Sequence, residues 1–504
     1  MTDRNGIFLG ASHQKRDNSL KEEYIWLKYA NRHGLITGAT GTGKTVTLQV
    51  IAESFAAAGV PTFCADVKGD LSGIANAGIL NDKVLARAQS VGLSSIEMKA
   101  APVIFWDLFG VEGHPIRATV SEMGPLLLSR LMDLTPAQEG VLNIAFRVAD
   151  DEGLLLLDLK DLQAMLNHVG EKAAELSSRY GNISKPSVGS IQRQLLVFEE
   201  QGGEHFFGEP SLALEDIMRT TTDGRGVVSV LAADKLMSNP RLYSTFLLWL
   251  MSELFEQLPE VGDPEKPRLV FFFDEAHLLF DNAPKALIER IEQVVRLIRS
   301  KGVGIYFISQ NPLDIPESVL AQLGNRIQHA LRVYTPRETA AVKAAASTFR
   351  ANPDFDTMQA ISDLGTGEAL VSTLEDKGVP SIVERTTIRP PSSQIGPVTN
   401  EQRQALMKAS PVSGKYDATI DRQSAYEMLQ KNTQEKQSTN DPQEGTGFWD
   451  TIFGDDKKRG QSVAETAVKS ITRTAANSIG RSLAKAGESY LRGVLGNLLG
   501  GKRK

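Results

Sequence analysis

Short apolar runs recur along the chain, and segments of helix length separate them. Most of the runs are continuously apolar rather than alternating, a pattern typical of parallel strands that are buried on both faces. The runs lie at residues 34–37, 61–67, 102–108, 226–232, 268–274, 304–309 and 327–333. Strands that alternate with helices in this way predict an α/β fold with a mainly parallel central sheet flanked by helices. Two further runs, 368–374 and 381–388, predict a hairpin that closes the domain.

The strand rhythm breaks between residues 110 and 222. Apolar residues there recur with helical spacing and predict a mainly helical insertion. Beyond residue 395 the pattern predicts a helix over 399–429, a polar linker over 430–447 and one or two basic amphipathic helices over 462–499. The predicted organisation is a discontinuous core at 1–109 and 223–395, an insertion at 110–222, a helical extension with a linker at 396–445, and a basic tail at 446–504.

The composition narrows the class of protein. A chain of 504 residues is too long for one compact core, and 41% hydrophobic with 23% charged residues excludes a mostly disordered chain. The longest apolar stretch, at 246–255, is half of the ~20 residues that a spanning helix needs, and no apolar signal segment follows the first charges. Cys64 is the only cysteine, so an intrachain disulfide is excluded. We therefore expect a cytoplasmic protein without an integral membrane segment.

The net charge of −6 conceals an asymmetry along the chain. The tail at 446–504 holds 11 lysines and arginines against 5 acidic residues, whereas the rest of the chain holds 44 against 56. A basic tail on an acidic body indicates an anionic partner for the tail. The partner is an anionic membrane, a nucleic acid or a neighbouring subunit, and the alternative is that the charges only keep a terminal segment soluble.

A glycine-rich segment follows the first predicted strand. Residues 38–45 match G-x-x-x-x-G-K-[ST] at every required position, and helical spacing begins at 46. The glycines let consecutive backbone N–H groups point at one anion, and the helix N-terminus adds partial positive charge. Lys44 is expected to reach the β- and γ-phosphates, and the Thr45 hydroxyl to bind Mg²⁺. The residues expected to contact the nucleotide here are Gly38, Ala39, Thr40, Gly41, Thr42, Gly43, Lys44, Thr45 and Val46.

An acidic pair, Asp274 and Glu275, ends the strand predicted at 268–274. The carboxyl end of a strand is the edge at which α/β sheets bind ligands. Asp274 is expected to hold Mg²⁺ through its water shell, and Glu275 to polarise the water that attacks the γ-phosphate. The alternative is a helix capped by Asp274, with Glu275 in its first turn. Beside a phosphate-binding loop, the pair favours nucleotide hydrolysis over a passive switch.

Three further polar residues are candidates for the same site. Gln310 ends the next strand, and its amide is suited to bond both the attacking water and the γ-phosphate; the alternative is a turn amide before a proline. Arg326 is the first candidate for an arginine supplied to a neighbouring subunit, which accelerates phosphoryl transfer greatly. Arg332 is the second, and both have the alternative of ordinary surface ion pairs. Residues 66–70 either contact the nucleotide or form a turn with a solvated charge pair.

Together these segments resemble the HerA/FtsK superfamily of RecA-fold motor ATPases. The resemblance rests on the glycine-rich loop, on Asp-Val-Lys-Gly-Asp at 66–70 and on Phe-Phe-Phe-Asp-Glu-Ala-His at 271–277, with support from 309–310 and 325–326. Segments at 202–210, 231–236 and 294–302 are similar to bacterial HerA-like proteins of the YjgR type. The resemblance covers roughly residues 5–430.

The resemblance implies a RecA-like sheet, ATP and Mg²⁺ as cofactors, and self-assembly into a hexameric ring with ATP at each subunit interface. It places several residues at the family's catalytic and binding positions. By implication, the Walker A, Walker B, sensor and trans-arginine positions are Lys44 and Thr45, Asp274 and Glu275, Gln310, and Arg326.

Two functions are compatible with these features. The first is an ATP-driven ring motor on double-stranded DNA, which needs mostly phosphate contacts and therefore no base-reading signature. The net negative charge of residues 1–445 weighs against a protein that binds DNA. The second is an ATPase that remodels or regulates a protein assembly without acting on DNA, with the insertion as its binding platform.

Overall fold

The computed structural model describes residues 5–15, 17, 19–281 and 285–438. The strands in these residues are β1 (Gly6–His13), β2 (Leu20–Trp26), β3 (Gly34–Thr37), β4 (Thr62–Asp66), β5 (Val103–Asp107), β6 (His114–Pro115), β7 (Val228–Ala232), β8 (Leu269–Phe273), β9 (Val303–Ser309), β10 (Asn325–Gln328), β11 (Glu368–Ser372) and β12 (Glu384–Ile388). They form one sheet in the order β2-β1-β12-β11-β10-β3-β9-β8-β4-β7-β5-β6. The tail at 446–504 and its predicted helices lie outside the described residues.

The sheet has a parallel and an antiparallel part. From β10 through β3, β9, β8, β4, β7 and β5 to β6 every neighbouring pair is parallel, whereas β2, β1, β12, β11 and β10 pair in antiparallel fashion. The α/β fold with a mainly parallel, RecA-like sheet is therefore confirmed. The hairpin expected after residue 367 is also confirmed, as the antiparallel pair β11–β12.

Helices cover both faces of the sheet. The α-helices in the described residues are α1 (Lys44–Ala57), α2 (Asp82–Ser90), α3 (Val120–Leu131), α4 (Pro136–Glu152), α5 (Leu159–Glu171), α6 (Ala173–Tyr180), α7 (Lys185–Glu200), α8 (Leu214–Ile217), α9 (Pro240–Gln257), α10 (Lys285–Ile298), α11 (Glu317–Leu320), α12 (Pro336–Ser347), α13 (Thr357–Asp363), α14 (Asn400–Lys408) and α15 (Ala425–Ser438). No helix in the described part of the chain combines the length and apolarity that a bilayer crossing needs.

Strand β8 shows why the central runs are continuously apolar. Phe271 and Phe273 pack into the hydrophobic cluster on one face of the sheet, and Val270 and Phe272 pack into the cluster on the other. Successive side chains of a strand point to opposite faces, so a strand covered on both faces needs apolar residues at every position. Helix α1 packs on the second face through residues such as Phe55.

Helices α3 to α8 lie between β6 and β7, within the segment where the sequence predicts a helical insertion. Their apolar faces join the same hydrophobic cluster as the first face of the sheet, and no boundary between compact units falls before residue 433. The insertion therefore packs as part of the body that carries the core, and it does not form a separate lobe.

The structure differs from the sequence-based predictions at several places. The single helix predicted over 399–429 is wrong: α14 and α15 are separated by turns at 409–424, where Pro411 and Gly414 interrupt the helical pattern. Strands β1 and β2 are not among the predicted strands, because neither is a continuous apolar run: β1 contains two glycines and ends in Ser-His, and β2 contains Lys-Glu-Glu at its start. Residues 430–438 belong to α15, so the linker predicted at 430–447 is wrong for that part. These residues are polar but are mostly good helix formers such as Gln, Lys and Glu, so polarity alone does not indicate a linker there.

Candidate nucleotide-binding site

The register of the parallel strands brings the predicted site residues to one edge of the sheet. Thr37 of β3 pairs with Ser309 of β9, so Gly38 and Gln310 leave the sheet side by side. On the other side of β9, β8 ends at Phe273, which pairs with Phe307, and Asp274 follows. One strand therefore separates the glycine-rich loop from the acidic pair, and both project from the carboxyl ends of their strands.

The phosphate-binding loop (residues 38–45) has the backbone that its glycines permit. Gly41 and Gly43 have positive φ values of 76° and 113°, a region that residues with a Cβ rarely adopt. No heavy atom lies within 4 Å of the position of a Cβ on Gly41, so the loop mouth is open there. Helix α1 begins at Lys44, so its unpaired N–H groups face the loop.

Lys44 lies across the loop that precedes it. Its side chain is buried, and Nζ donates hydrogen bonds to the carbonyl oxygens of Gly38 at 2.6 Å and Ala39 at 3.1 Å. Burial, and then the positive charge of Lys68, lower the pKa of the Lys44 ammonium below its ordinary value. Two neutral carbonyls are weak partners for a buried ammonium compared with a phosphate dianion, so the arrangement suits an incoming anion.

A buried histidine supports the loop from behind. His329 Nδ1 lies 2.8 Å from the Glu368 carbonyl oxygen, and Nε2 lies 2.9 Å from the Thr47 hydroxyl. A carbonyl only accepts, so Nδ1 carries the proton and Nε2 accepts from Thr47. Burial lowers the pKa of His329 to about 4, which keeps the ring in this neutral tautomer. A Cβ on Gly38 would lie 2.5 Å from His329 Cβ, so the fit requires glycine.

Backbone hydrogen bonds complete this support. The Ala39 N–H donates to the Ala330 carbonyl at 2.8 Å, and the Gly367 N–H donates to the Thr42 carbonyl at 3.0 Å. The loop is therefore fixed by the segment after β10 and by the turn before β11, through contacts made almost entirely by main-chain atoms.

The acidic edge (residues 66–70, 274–277 and 310) is built differently, from charged side chains. Asp274 and Glu275 are 4% and 3% exposed. Glu275 has a φ of 48°, uncommon for a residue with a side chain, and precedes a 3-10 helix at Ala276–Leu279 without a side-chain capping bond. Asp274 Oδ1 accepts instead from the Glu275 N–H at 2.9 Å. The alternative of a helix capped by Asp274 is therefore wrong.

Three side chains from different elements converge on the Glu275 carboxylate. Lys68 forms an ion pair with Oε1, Gln310 Nε2 lies 3.4 and 3.3 Å from Oε1 and Oε2, and His277 Nδ1 lies 3.3 Å from Oε2. Burial raises the pKa of Glu275, but the hydrogen bonds from Lys68 and Gln310 outweigh it, and the pKa lies below its usual value. Glu275 is thus an ionised, fully engaged carboxylate.

Two other carboxylates of this edge, those of Asp66 and Asp274, are costly to ionise. Burial, with the nearby charge of Asp70, raises the pKa of Asp66 to about 7, although Asp66 accepts from the Gly69 and Leu71 N–H groups. Burial, with the charge of Glu275, raises the pKa of Asp274 to about 6. A cation near these groups would offset that cost.

The residues present fit Mg²⁺ bound together with nucleotide phosphates. Asp70 Oδ1 is buried and has no hydrogen-bond partner within the described residues, and Asp274 and Thr45 offer the hard oxygen ligands that Mg²⁺ prefers. The described chain holds no cluster of three or more His, Cys, Asp or Glu residues arranged to bind a metal alone. Mg²⁺ commonly takes one or two protein ligands and completes its shell with phosphate and water.

The side chains of Gln310 and the two arginines have distinct surroundings. The turn after β9 is capped by Asn311, whose Oδ1 accepts from the Leu313 N–H at 2.9 Å, so Gln310 is free to face Glu275. Arg326 is partly buried and donates to the carbonyls of Leu323 and Leu320 at 3.1 and 3.0 Å. Arg332 is exposed and follows β10, whose carboxyl end lies beside the phosphate-binding loop.

Comparison with known proteins identifies the family. The family model described as "Helicase HerA-like C-terminal" matches residues 11–504. The chain belongs to this family. A probable helicase of Methanocaldococcus jannaschii, MJECL08, is 30% identical over 125 residues, which are 24% of this chain and 22% of that relative. The match thus spans about a fifth of the curated relative's length.

Two bacterial proteins of known structure can be superposed on much of this chain. The conjugative coupling protein TrwB without its first 70 residues is 14% identical with a TM-score of 0.47, over 74% of this chain and 89% of that chain. VirB4 of Thermoanaerobacter pseudethanolicus is 16% identical with a TM-score of 0.48, over 80% and 99%.

The resemblance to the HerA family is therefore confirmed. The narrower YjgR assignment stays a prediction. The roles of His329 and of the turn at Gly367 do not follow from the sequence, because they depend on which strand adjoins β3. Lys68 stands in the segment 66–70, for which the sequence leaves two interpretations open. A sequence signal was present: in a parallel sheet, charged residues directly after neighbouring strands meet at one edge.

Proposed function

We propose that this HerA-like protein hydrolyses Mg-ATP and uses the reaction to move on double-stranded DNA as a ring of identical subunits. The proposal rests on one observation. The phosphate-binding loop, Gln310 and the Asp274–Glu275 pair leave three adjacent strands at the same edge, and Gln310 already contacts Glu275. Binding groups for a triphosphate and a carboxylate for water activation are thus within reach of one nucleotide.

In this proposal the loop N–H groups and the start of α1 bind the phosphates. Lys44 exchanges its two carbonyl partners for the β- and γ-phosphates. Thr45 and Asp274 would hold Mg²⁺, which would neutralise charge on the phosphates. Glu275 accepts a proton from the attacking water, and Gln310 orients that water.

An arginine from the neighbouring subunit completes the proposed site. Arg326 and Arg332 remain the candidates, and their contacts rank them differently. The Arg326 guanidinium is engaged by two carbonyls, which is a structural role within its own subunit. The exposed Arg332 is better suited to reach across an interface, and we propose it for this role.

The DNA part of the proposal is tested by ATP turnover with and without double-stranded DNA over a salt series. We expect stimulation that fades as salt rises, because contacts with phosphates release counterions. Turnover that is indifferent to DNA at every salt concentration would contradict a DNA motor and would favour the remodelling of a protein assembly.

A further inference from the structure

Lys68 is one of the residues at this edge to which the proposed mechanism gives no role. It follows β4, which pairs with β8 in a parallel register that sets Ala65 opposite Phe273. Lys68 lies three residues beyond Ala65 and Glu275 two residues beyond Phe273, and the lysine forms an ion pair with the Glu275 carboxylate. The lysine side chain is 38% exposed, whereas the glutamate side chain is 3% exposed, so the lysine is the more accessible partner.

The pairing restrains Glu275 in the nucleotide-free chain. With Lys68, Gln310 and His277 around its two oxygens, the carboxylate has little capacity left to accept a proton from water. An ion-paired carboxylate is also a weaker base than a free one. A carboxylate has about four acceptor positions, so the departure of one of these partners makes room for water.

Lys68 is the partner best placed to leave. Its backbone is fixed by the Asp66 carboxylate, which accepts from the N–H groups of Gly69 and Leu71 on its C-terminal side. The flexible part is the side chain, which is partly solvent-exposed. Lys68 is also close enough to Lys44 for its charge to lower the pKa of that ammonium. Two ammonium groups that repel each other favour an anion between them.

We propose that Lys68 is a latch that reads the γ-phosphate: it holds Glu275 while the site lacks a triphosphate, and it transfers to the γ-phosphate when ATP binds, which releases Glu275 to act on water. This inference rests on the proposed function, because it assumes that ATP binds at the phosphate-binding loop. It adds a recognition residue for the terminal phosphate and an order of events.

The experiment compares the affinities of the full-length protein for Mg-ADP and for the Mg complex of β,γ-imido-ATP, by calorimetry. Lys68→Met should weaken binding of the triphosphate analogue about tenfold and leave ADP binding within a factor of two, because only the analogue offers a γ-phosphate. Lys68→Arg should retain most of the preference. Glu275→Gln should strengthen binding of the analogue, since Lys68 no longer has to leave a charged partner.

Lys415→Met is the matched control. Lys415 is also a partly exposed lysine, paired with the buried carboxylate of Asp216, and it plays no part in the proposed site. This variant should leave the ratio of the two affinities unchanged. An equal loss of both affinities in Lys68→Met, an unchanged ratio in that variant, or a ratio altered by Lys415→Met would each overturn the latch.

The two levels of the proposal fail separately. If the wild-type protein binds neither nucleotide, the proposed function and the latch both fail. If the wild type binds both nucleotides and Lys44→Ala abolishes binding, unchanged affinities in Lys68→Met contradict only the latch and leave the proposed function standing.

Discussion

The phosphate-binding loop and the acidic edge lie on either side of β9 but are stabilised in opposite ways. Main-chain hydrogen bonds and one neutral histidine hold the loop, whereas the acidic edge is held by ion pairs and by hydrogen bonds to carboxylates. Because main-chain groups hold the loop, its conformation does not depend on the charge of the bound nucleotide. The ion pairs of the acidic edge, in contrast, rearrange when a charged group binds or leaves nearby.

This difference assigns the two halves of the site different tasks. The loop is suited to binding phosphate, and the acidic edge to sensing and switching. Substitutions in the loop should therefore affect both nucleotides alike, and substitutions at the acidic edge should separate binding from turnover or ATP from ADP.

The largest effect on nucleotide affinity is expected from Lys44→Ala. Removal of the ammonium deletes charge-assisted hydrogen bonds to the phosphates, and nucleotide affinity should fall on the order of 100-fold for ADP and ATP alike. Calorimetry with both nucleotides measures the loss, and the melting temperature without nucleotide controls for folding. Loss of ATP binding with unchanged ADP binding would contradict the difference between the two regions, because the loop would then discriminate between the two nucleotides.

The next effect concerns the arginines. Arg332→Ala should lower ATP turnover at least 100-fold with unchanged nucleotide affinity and melting temperature, because an exposed arginine acts only in the assembled site. Arg326→Ala should lower the melting temperature, because it removes the side-chain donor to the Leu323 carbonyl and one of the two donors to the Leu320 carbonyl. Full turnover in Arg332→Ala with loss only in Arg326→Ala would restore Arg326 as the trans arginine.

A smaller effect, the pH dependence of the free energy of unfolding, distinguishes the phosphate-binding loop from the acidic edge. The folded-state pKa of His329, about 4, lies below its ordinary value of 6.5, so its contribution to stability is complete above pH 6.5 and is lost as the pH falls through 4. The folded-state pKa of Asp66, about 7, lies above its ordinary value of 3.8, so its contribution is complete below pH 3.8 and is lost as the pH rises through 7.

Urea unfolding from pH 4 to 8 of the wild type, His329→Gln and Asp66→Asn measures both contributions. Each is on the order of 3 kcal/mol at 1.36 kcal/mol per pKa unit. Relative to the wild type, His329→Gln should lose less stability on acidification, and Asp66→Asn should lose less on alkalinisation. If the free energy of unfolding of all three proteins changed with pH in the same way, the opposite pKa shifts of His329 and Asp66 would be contradicted.

The sequence predicts the loop better than the acidic edge, for a physical reason. The conformation of residues 38–45 depends on local glycines and on the start of α1, so the motif contains the information. The pairing of Lys68 with Glu275 depends on the adjacency of β4 and β8, which are more than 200 residues apart. The surroundings of Arg326 likewise depend on how α11 ends, and no short pattern reports it.

The edge of the sheet was harder to predict than its centre. Strand β8 is apolar at every position because both its faces are covered, whereas β2 presents charged residues on its surface. Continuous hydrophobicity identifies buried parallel strands and misses antiparallel strands at an edge.

The most direct measurement is a comparison of ATP retention and ATP turnover in Glu275→Gln. The amide keeps the shape of the side chain but cannot take a proton from water. We expect this variant to retain bound Mg-ATP with at least wild-type affinity while turnover falls 10²- to 10⁴-fold. Turnover at the wild-type rate, or loss of ATP binding together with turnover, would contradict the claim that the phosphate-binding loop and the acidic edge act on the same triphosphate in separate roles.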